Sequence, residues 1–429
     1  MTQFWRFETS TVHAGHEPDA DSHSIATPIY PSAAFAFDSA QHSAELFDGV
    51  VDGYIYSRIA NPTVRSLEAR LATLEQGIGA VAFASGQAAV ASAVQTIAVA
   101  GDNIVSASSL YGTTYKVFSS VFRQSGMEVR FARYDDLDQF AALIDDKTRA
   151  IYCESMANPA GHIPDLAPLA ELAHRHGLPL IVDNTVATPY LCRPFEHGAD
   201  IVVHSLTKYL GGHGVALGGC VVDAGQFDWK ANESRFKLLS MPDPCHHNTV
   251  FTERYGRHAY IRRVQSVPLR NMGAVLSPFN AFLIMQGMET LALRMDRICF
   301  NAELIAGYLQ QHPAVSWVNY PALEGHPERP RLERYMRGKA SGVFSFGVQG
   351  GRAAGERFQN ALRLIRRSVN IGDCKTLACH PASTTHRQVF GQDLAASGVT
   401  EDMVRLSVGI EHVEDLVDDL DQALAASIN

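Results

Sequence analysis

The sequence has no run of 18 apolar residues, so it holds no candidate transmembrane helix. It also lacks a stripe of Lys and Arg: 36 basic residues stand against 45 acidic ones, a formal net charge of −9. Nucleic-acid binders draw most of their affinity from cationic contacts to phosphates, so neither nucleic acid nor membrane is expected as a partner. Met1 to Glu17 contain no apolar stretch that could serve as a signal peptide, and a cytoplasmic location is the expectation. The seven cysteines are odd in number, irregular in spacing and free of any C-x-x-C, which argues against a disulfide framework or a zinc ribbon. Cys245-His246-His247 is metal-like at first sight. Adjacent residues rarely converge on one ion, however, and no second ligand pair follows, so a polar loop and no metal are expected. No internal repeat or low-complexity segment occurs. What remains is a composition of 46% apolar and 19% charged residues over 429 positions, long enough for two or three domains with large cores.

Residues 1–65 read as an irregular arm rich in turn formers, among them Gly15, Pro28, Pro31 and Asn61-Pro62. From Thr63, helical spacing of Val64, Leu67, Leu71 and Leu74 predicts a helix that Gly77 ends. Short apolar strands then alternate with helices: strands over 80–84, 103–107, 129–132, 150–154, 178–182, 200–204 and 215–222, helices over 88–99, 113–125 and 167–176. This rhythm predicts an α/β fold, a mostly parallel seven-stranded sheet with helices on both faces. Residues 224–272 break it, being polar and rich in Pro, His and Arg, a length that in a loop is usually functional or disordered. A long helix pair over 277–312 and short strands and helices beyond it predict a smaller α+β C-terminal domain. The expected division is 1–65 for the arm, 66–290 for the main domain with insert 224–272, and 291–429 for the C-terminal domain.

Three features fall at or just after strand C-terminal ends, where open α/β sheets bind ligands. Ser85-Gly86-Gln87 runs from a strand into a helix, offering free N–H groups and a positive helix end to a phosphate, without the Gly-Lys-[Ser/Thr] of a Walker loop. Asp183 closes an apolar strand, either as a local cap or as a buried carboxylate that needs a cationic partner. Lys208 stands between an apolar strand and a glycine-rich turn, after Ser205 and Thr207; a lysine kept from water loses its proton readily and attacks carbonyls. Phosphate cradle, acid and lysine together form the set that pyridoxal 5'-phosphate needs, and Tyr111 could stack on its ring.

Seven ordered stretches carry a wider likeness: Tyr56-Ser57-Arg58-Ile59-Ala60-Asn61-Pro62-Thr63, Ser85-Gly86-Gln87-Ala88-Ala89, Leu110-Tyr111-Gly112, Glu154-Ser155-Met156-Ala157-Asn158-Pro159, Asp183-Asn184-Thr185, Ser205-Leu206-Thr207-Lys208-Tyr209 and Arg405-Leu406-Ser407-Val408-Gly409-Ile410-Glu411. In these the chain resembles, over nearly its whole length, the Cys/Met-metabolism family of pyridoxal-phosphate enzymes with fold type I. The resemblance implies that Lys208 holds the cofactor covalently, Asp183 pairs with its ring nitrogen, and Ser85, Gly86, Gln87, Ser205 and Thr207 hold its phosphate. It implies further that Asn158 lies near the ring's phenolic oxygen and Tyr111 stacks on the ring, with a possible acid–base role. Arg405 clamps the substrate α-carboxylate beside Asn370, and Tyr56 and Arg58 reach the site of a neighbouring subunit, Tyr56 near its substrate as well. A homo-oligomer, a tetramer built as a dimer of dimers, follows.

Within the family, insert 224–272, the stretch from Ser277 to Leu291, and Asn370-Ile371-Gly372-Asp373 with the segment 380–386 are similar to the O-acetylhomoserine sulfhydrylases. His246-His247-Asn248 departs from the Tyr-His-Gly usual there. The implied reaction is γ-replacement of acetate on O-acetylhomoserine by sulfide or a thiol. A methionine γ-lyase, a cystathionine γ-synthase or lyase, and a non-catalytic binding module stay open as alternatives. His204, His213, His380 and His386 are read as supporting or structural residues, and Arg405 paired with Glu411 is the plain alternative to its carboxylate role.

Overall fold

The computed structural model describes residues 5–19, 22–385, 387 and 399–428. Its main sheet has seven strands, β1 (Gly79–Phe83), β2 (Asn103–Ala107), β3 (Glu128–Ala132), β4 (Thr148–Glu154), β5 (Leu180–Asp183), β6 (Ile201–Ser205) and β7 (Gly219–Asp223). They lie in the order β1-β7-β6-β5-β4-β2-β3, and β7 alone runs against its neighbours. Side chains alternate faces along a strand, and here both faces are buried. Ile151, Val182 and Val202 enter one core, while Tyr152, Ile181 and Val203 enter the other. That two-sided burial is why these strands read as unbroken apolar runs.

The first long helix, Pro62–Glu75, starts where Asn61 Oδ1 accepts the N–H groups of Thr63 and Val64 at 3.0 and 3.4 Å. Its end differs from expectation. Gln76, not Gly77, takes the left-handed turn, with φ 63°. Gly77 is needed for packing instead, since a Cβ there would lie 2.6 Å from Val222 Cγ1 and 2.7 Å from the Asp223 carbonyl. The last strand of the sheet begins at Gly219 rather than 215, and Val215 and Leu217 stay exposed.

The arm is less irregular than its composition implies. Helices Phe7–His13 and Ala40–Asp48 lie within it. Arg70, buried in the helix Pro62–Glu75, binds the carbonyls of Ala14 at 2.9 Å and Val12 at 3.3 Å and so fastens the first of them. The insert is a packed unit, not a loop. Short helices Lys237–Ser240, Phe251–Tyr255 and Ala259–Val264 surround Trp229 and Tyr260, whose rings stack 5.3 Å apart. Arg263 pairs with Asp243 at 2.9 Å and Tyr260 donates to the Ala93 carbonyl at 2.9 Å, which seats the insert on the helix Gly86–Gln95.

Beyond the helices Pro278–Glu289 and Leu291–Gln311, a second sheet of β8 (Val315–Asn319), β9 (Val343–Val348), β10 (Arg366–Arg367), β11 (Leu377–Cys379) and β12 (Met403–Ser407) has the order β10-β11-β12-β9-β8. Strands β8, β10 and β11 are too short or too mixed to show in the sequence. Among the described residues no helix is long and apolar enough to cross a membrane.

Candidate active site

The parallel strands β1, β2, β4, β5 and β6 all point their C-terminal ends at one cavity of about 210 Å3. Ser85, Gly86, Gln87, Tyr111, Asn158, Asp183, Ser205, Thr207 and Lys208 line it, each from the segment that leaves one of those ends. The place is the crevice expected for an open α/β sheet.

Ser85 caps the helix Gly86–Gln95, its Oγ accepting the Ala88 N–H at 3.2 Å. The first N–H groups of such a helix have no partner within it and carry the positive end of its dipole. Gly86 is fixed by crowding: a Cβ would lie 2.7 Å from the Ser205 Cβ. Thr207 Oγ1 accepts the Gly218 N–H at 3.1 Å, which orients its hydroxyl at the same wall. A small anion would therefore meet N–H groups and hydroxyls together.

Asp183 is held by Thr185, whose N–H donates to Oδ1 at 2.9 Å while its Oγ1 accepts the Ser205 N–H at 2.8 Å. Burial raises the Asp183 carboxyl above its ordinary range, and Thr185 works against that. A cation beside it would restore the charged form. Lys208 Nζ donates to Asn370 Oδ1, a contact between the segment after β6 and the C-terminal part of the chain. Burial, and then the charge of Arg405, lower the Lys208 pKa from the ordinary lysine value. A desolvated amine of this kind is a ready nucleophile.

Arg405 stands on β12 behind Lys208. One of its terminal nitrogens donates to the Val369 carbonyl at 2.7 Å and the Asn370 carbonyl at 3.3 Å. Glu411 is occupied elsewhere, accepting the N–H and Oγ1 of Thr376 at 2.6 and 2.8 Å, so the Arg405–Glu411 pair is not formed. Among the described residues, buried Gln87 Oε1, Asn158 Oδ1 and Arg405 Nε around this region have no partner. Buried polar groups are nearly always satisfied, so atoms left open beside an anion cradle, an acid and a nucleophilic amine fit a polar ligand such as pyridoxal phosphate.

Tyr56 and Arg58 are not brought to this cavity within the chain. Arg58 lies over the Tyr56 ring, 5.4 Å from its centre, and donates to the Arg270 carbonyl. Tyr111 has its ring half exposed at the cavity. His204 is sealed in the core against Glu75, at 2.5 Å. His213 contacts its own turn at the Gly211 carbonyl, and His380 bonds Ser383 and the Glu401 carbonyl; His386 lies outside the described residues. Two polar residues that line the cavity had no role assigned from sequence, Glu154 and Thr185. Both stand inside the quoted motifs, Glu154 closing a strand as Asp183 does.

The Cys/Met metabolism PLP-dependent enzymes match residues 8–425. The chain belongs to this family. It is 48% identical over 422 residues to an O-acetyl-L-homoserine sulfhydrylase of Thermus thermophilus, covering 98% of this chain and 100% of the relative. It is 46% identical over 419 residues to a homocysteine synthase of Schizosaccharomyces pombe, covering 97% and 98%. Among solved structures, one described as an O-acetylhomoserine (thiol)-lyase from Campylobacter jejuni superposes with a TM-score of 0.94 at 38% identity, over 98% of this chain and 100% of that one. That structure contains a pyridoxyl-lysine phosphate. As a member of this family the chain is a pyridoxal-phosphate enzyme with the α/β architecture of the group.

Proposed function

We propose that the enzyme replaces the γ-acetoxy group of O-acetyl-L-homoserine with sulfide or a thiol, releasing acetate and L-homocysteine or its thioether, and so serves methionine and cysteine biosynthesis. The full-length likeness to sulfhydrylases and homocysteine synthases supports the substrate. The observation that carries the chemistry is the partly buried Lys208 amine, held by Asn370 and faced by Arg405, at the wall of a cavity that also contains Asp183.

Pyridoxal phosphate, when bound, supplies the electron sink that lets the α- and β-carbons of an amino acid give up protons. In this reading Lys208 holds the cofactor and Nζ, once free, moves the substrate's α-proton and then a β-proton. Asp183 keeps the ring nitrogen protonated. Ser85, Gly86, Gln87, Ser205 and Thr207 bind the phosphate, and Asn158 meets the phenolic oxygen. Tyr111 covers the ring and stands where an acid or base could serve the leaving group. Arg405, beside Asn370, takes the α-carboxylate with its planar fork of donors. Tyr56 and Arg58 complete the phosphate site of a second subunit, so the dimer is the catalytic unit and two dimers form the tetramer. The arm 1–65, the cofactor domain 66–290 and the C-terminal domain 291–429 divide these tasks.

Purified enzyme given O-acetylhomoserine, O-succinylhomoserine or methionine, each with and without sulfide, tests the proposal. Homocysteine from the acetyl ester plus sulfide is the expected product. Its absence, or 2-oxobutyrate from methionine as the main reaction, would overturn it.

A further inference from the structure

Glu154 ends β4 directly opposite Asp183 of β5, is 6% exposed and lines the same cavity. Its Oε1 accepts the backbone N–H of Tyr111 at 2.6 Å. That bond runs from the end of β4 to the segment that leaves β2. The Tyr111 side chain is 46% exposed, and no hydrogen bond of its phenol is found among the described residues. The direction of its ring is therefore set by its backbone, at the atom that Glu154 grips.

We propose that Glu154 is a positioning residue that sets Tyr111 against the cofactor through this backbone bond. The proposal rests on the cofactor occupying this cavity. Burial, and then the neighbouring Asp183, push the Glu154 acid well above the ordinary carboxyl range, which favours the neutral form. A neutral acid and a glutamine offer the same acceptor oxygen to the Tyr111 N–H. The grip then needs the acceptor and the side-chain length, and not the charge.

The test uses purified holoenzyme and reads three quantities: the circular dichroism of the visible cofactor band, the cofactor dissociation constant, and kcat and KM for O-acetylhomoserine. Glu154→Ala is expected to weaken the dichroism and loosen the cofactor about tenfold, the size of one good hydrogen bond. Glu154→Gln is expected to stay within about twofold of the parent. In a Tyr111→Ala background, Glu154→Ala is expected to add less than about twofold, because the ring it positions is gone. Wild-type dichroism and affinity in Glu154→Ala would overturn the proposal. So would effects of the two substitutions that simply multiply, or a Glu154→Gln as damaged as the alanine variant. If Glu154→Ala does not fold, Glu154→Asp, one methylene shorter, carries the same test: parental behaviour there overturns the proposal. Failure of the cofactor placement shows separately, as a visible cofactor band that persists in Lys208→Ala.

Discussion

Lys208 illustrates how a side chain acquires reactivity from position. An amine in water stays protonated near neutral pH; burial and the nearby Arg405 guanidinium both disfavour that charge. Lys208→Ala is expected to abolish the covalent visible band and to lower kcat at least about a thousandfold, read by absorbance and steady-state kinetics. Asp223, at the end of β7, shows the same physics away from the cavity. It is 2% exposed, its Oδ1 accepts the Gly225 N–H at 2.8 Å, and Oδ2 has no partner. Burial raises its pKa from 3.8 to about 7. Between those values the unfolded chain has lost this proton and the folded one keeps it, so this group makes the protein less stable as pH rises through that window. Relative to Asp223→Asn, the wild type is expected to lose about 3 kcal/mol between pH 4 and pH 7, measured by denaturant midpoints at the two ends.

Elements are placed here by close backbone approach as much as by apolar burial. The helix Gly86–Gln95 reaches β6 only because position 86 has no Cβ, and Gly219 lets β7 pass the Ser85 carbonyl, 2.0 Å from where a Cβ would sit. Gly86→Ala is expected to push the helix start off Ser205, costing about 2 kcal/mol of stability and at least about tenfold in cofactor affinity; calorimetry and cofactor titration read the two losses. Asn61 does double duty at the start of the helix Pro62–Glu75. Its Oδ1 caps the helix while Nδ2 donates to the Tyr30 carbonyl at 2.8 Å and to Ser57 Oγ at 3.0 Å. Asn61→Ala is therefore expected to cost about 2 kcal/mol, above the loss of a cap alone, and to show in the thermal midpoint.

At the scale of the whole chain, a few buried polar side chains tie distant segments together. Arg70 binds carbonyls at Val12, Ala14 and Met285 and lies 3.7 Å from Glu289, so arm, first long helix and the helix Pro278–Glu289 meet at one guanidinium. Arg70→Ala leaves those carbonyls open. It is expected to cost about 3 kcal/mol and to free the N-terminal residues for limited proteolysis before the rest of the chain is cut. Lys208 with Asn370 is a comparable tie between the two sheets, placed at the site itself.

The main sheet was legible because its strands are buried on both faces, so Ile151 to Cys153 and Leu180 to Val182 are apolar whichever way they point. Ser85, Asp183 and Lys208 were legible because polar residues at the ends of such runs are conspicuous. The arm helices and the insert were not. Their order comes from contacts far along the chain, Arg70 to Ala14 and Trp229 to Tyr260, and from no local period. Glu154 escaped notice as a site residue for a related reason: its meaning lies in the N–H of Tyr111, forty-three residues earlier, and in Asp183 on the next strand. The sequence alone determined the sheet and the residue types at its edge, because burial and strand ends are local properties. Only the tertiary structure decided which polar atoms meet, because hydrogen bonds between separate segments depend on how the whole chain closes.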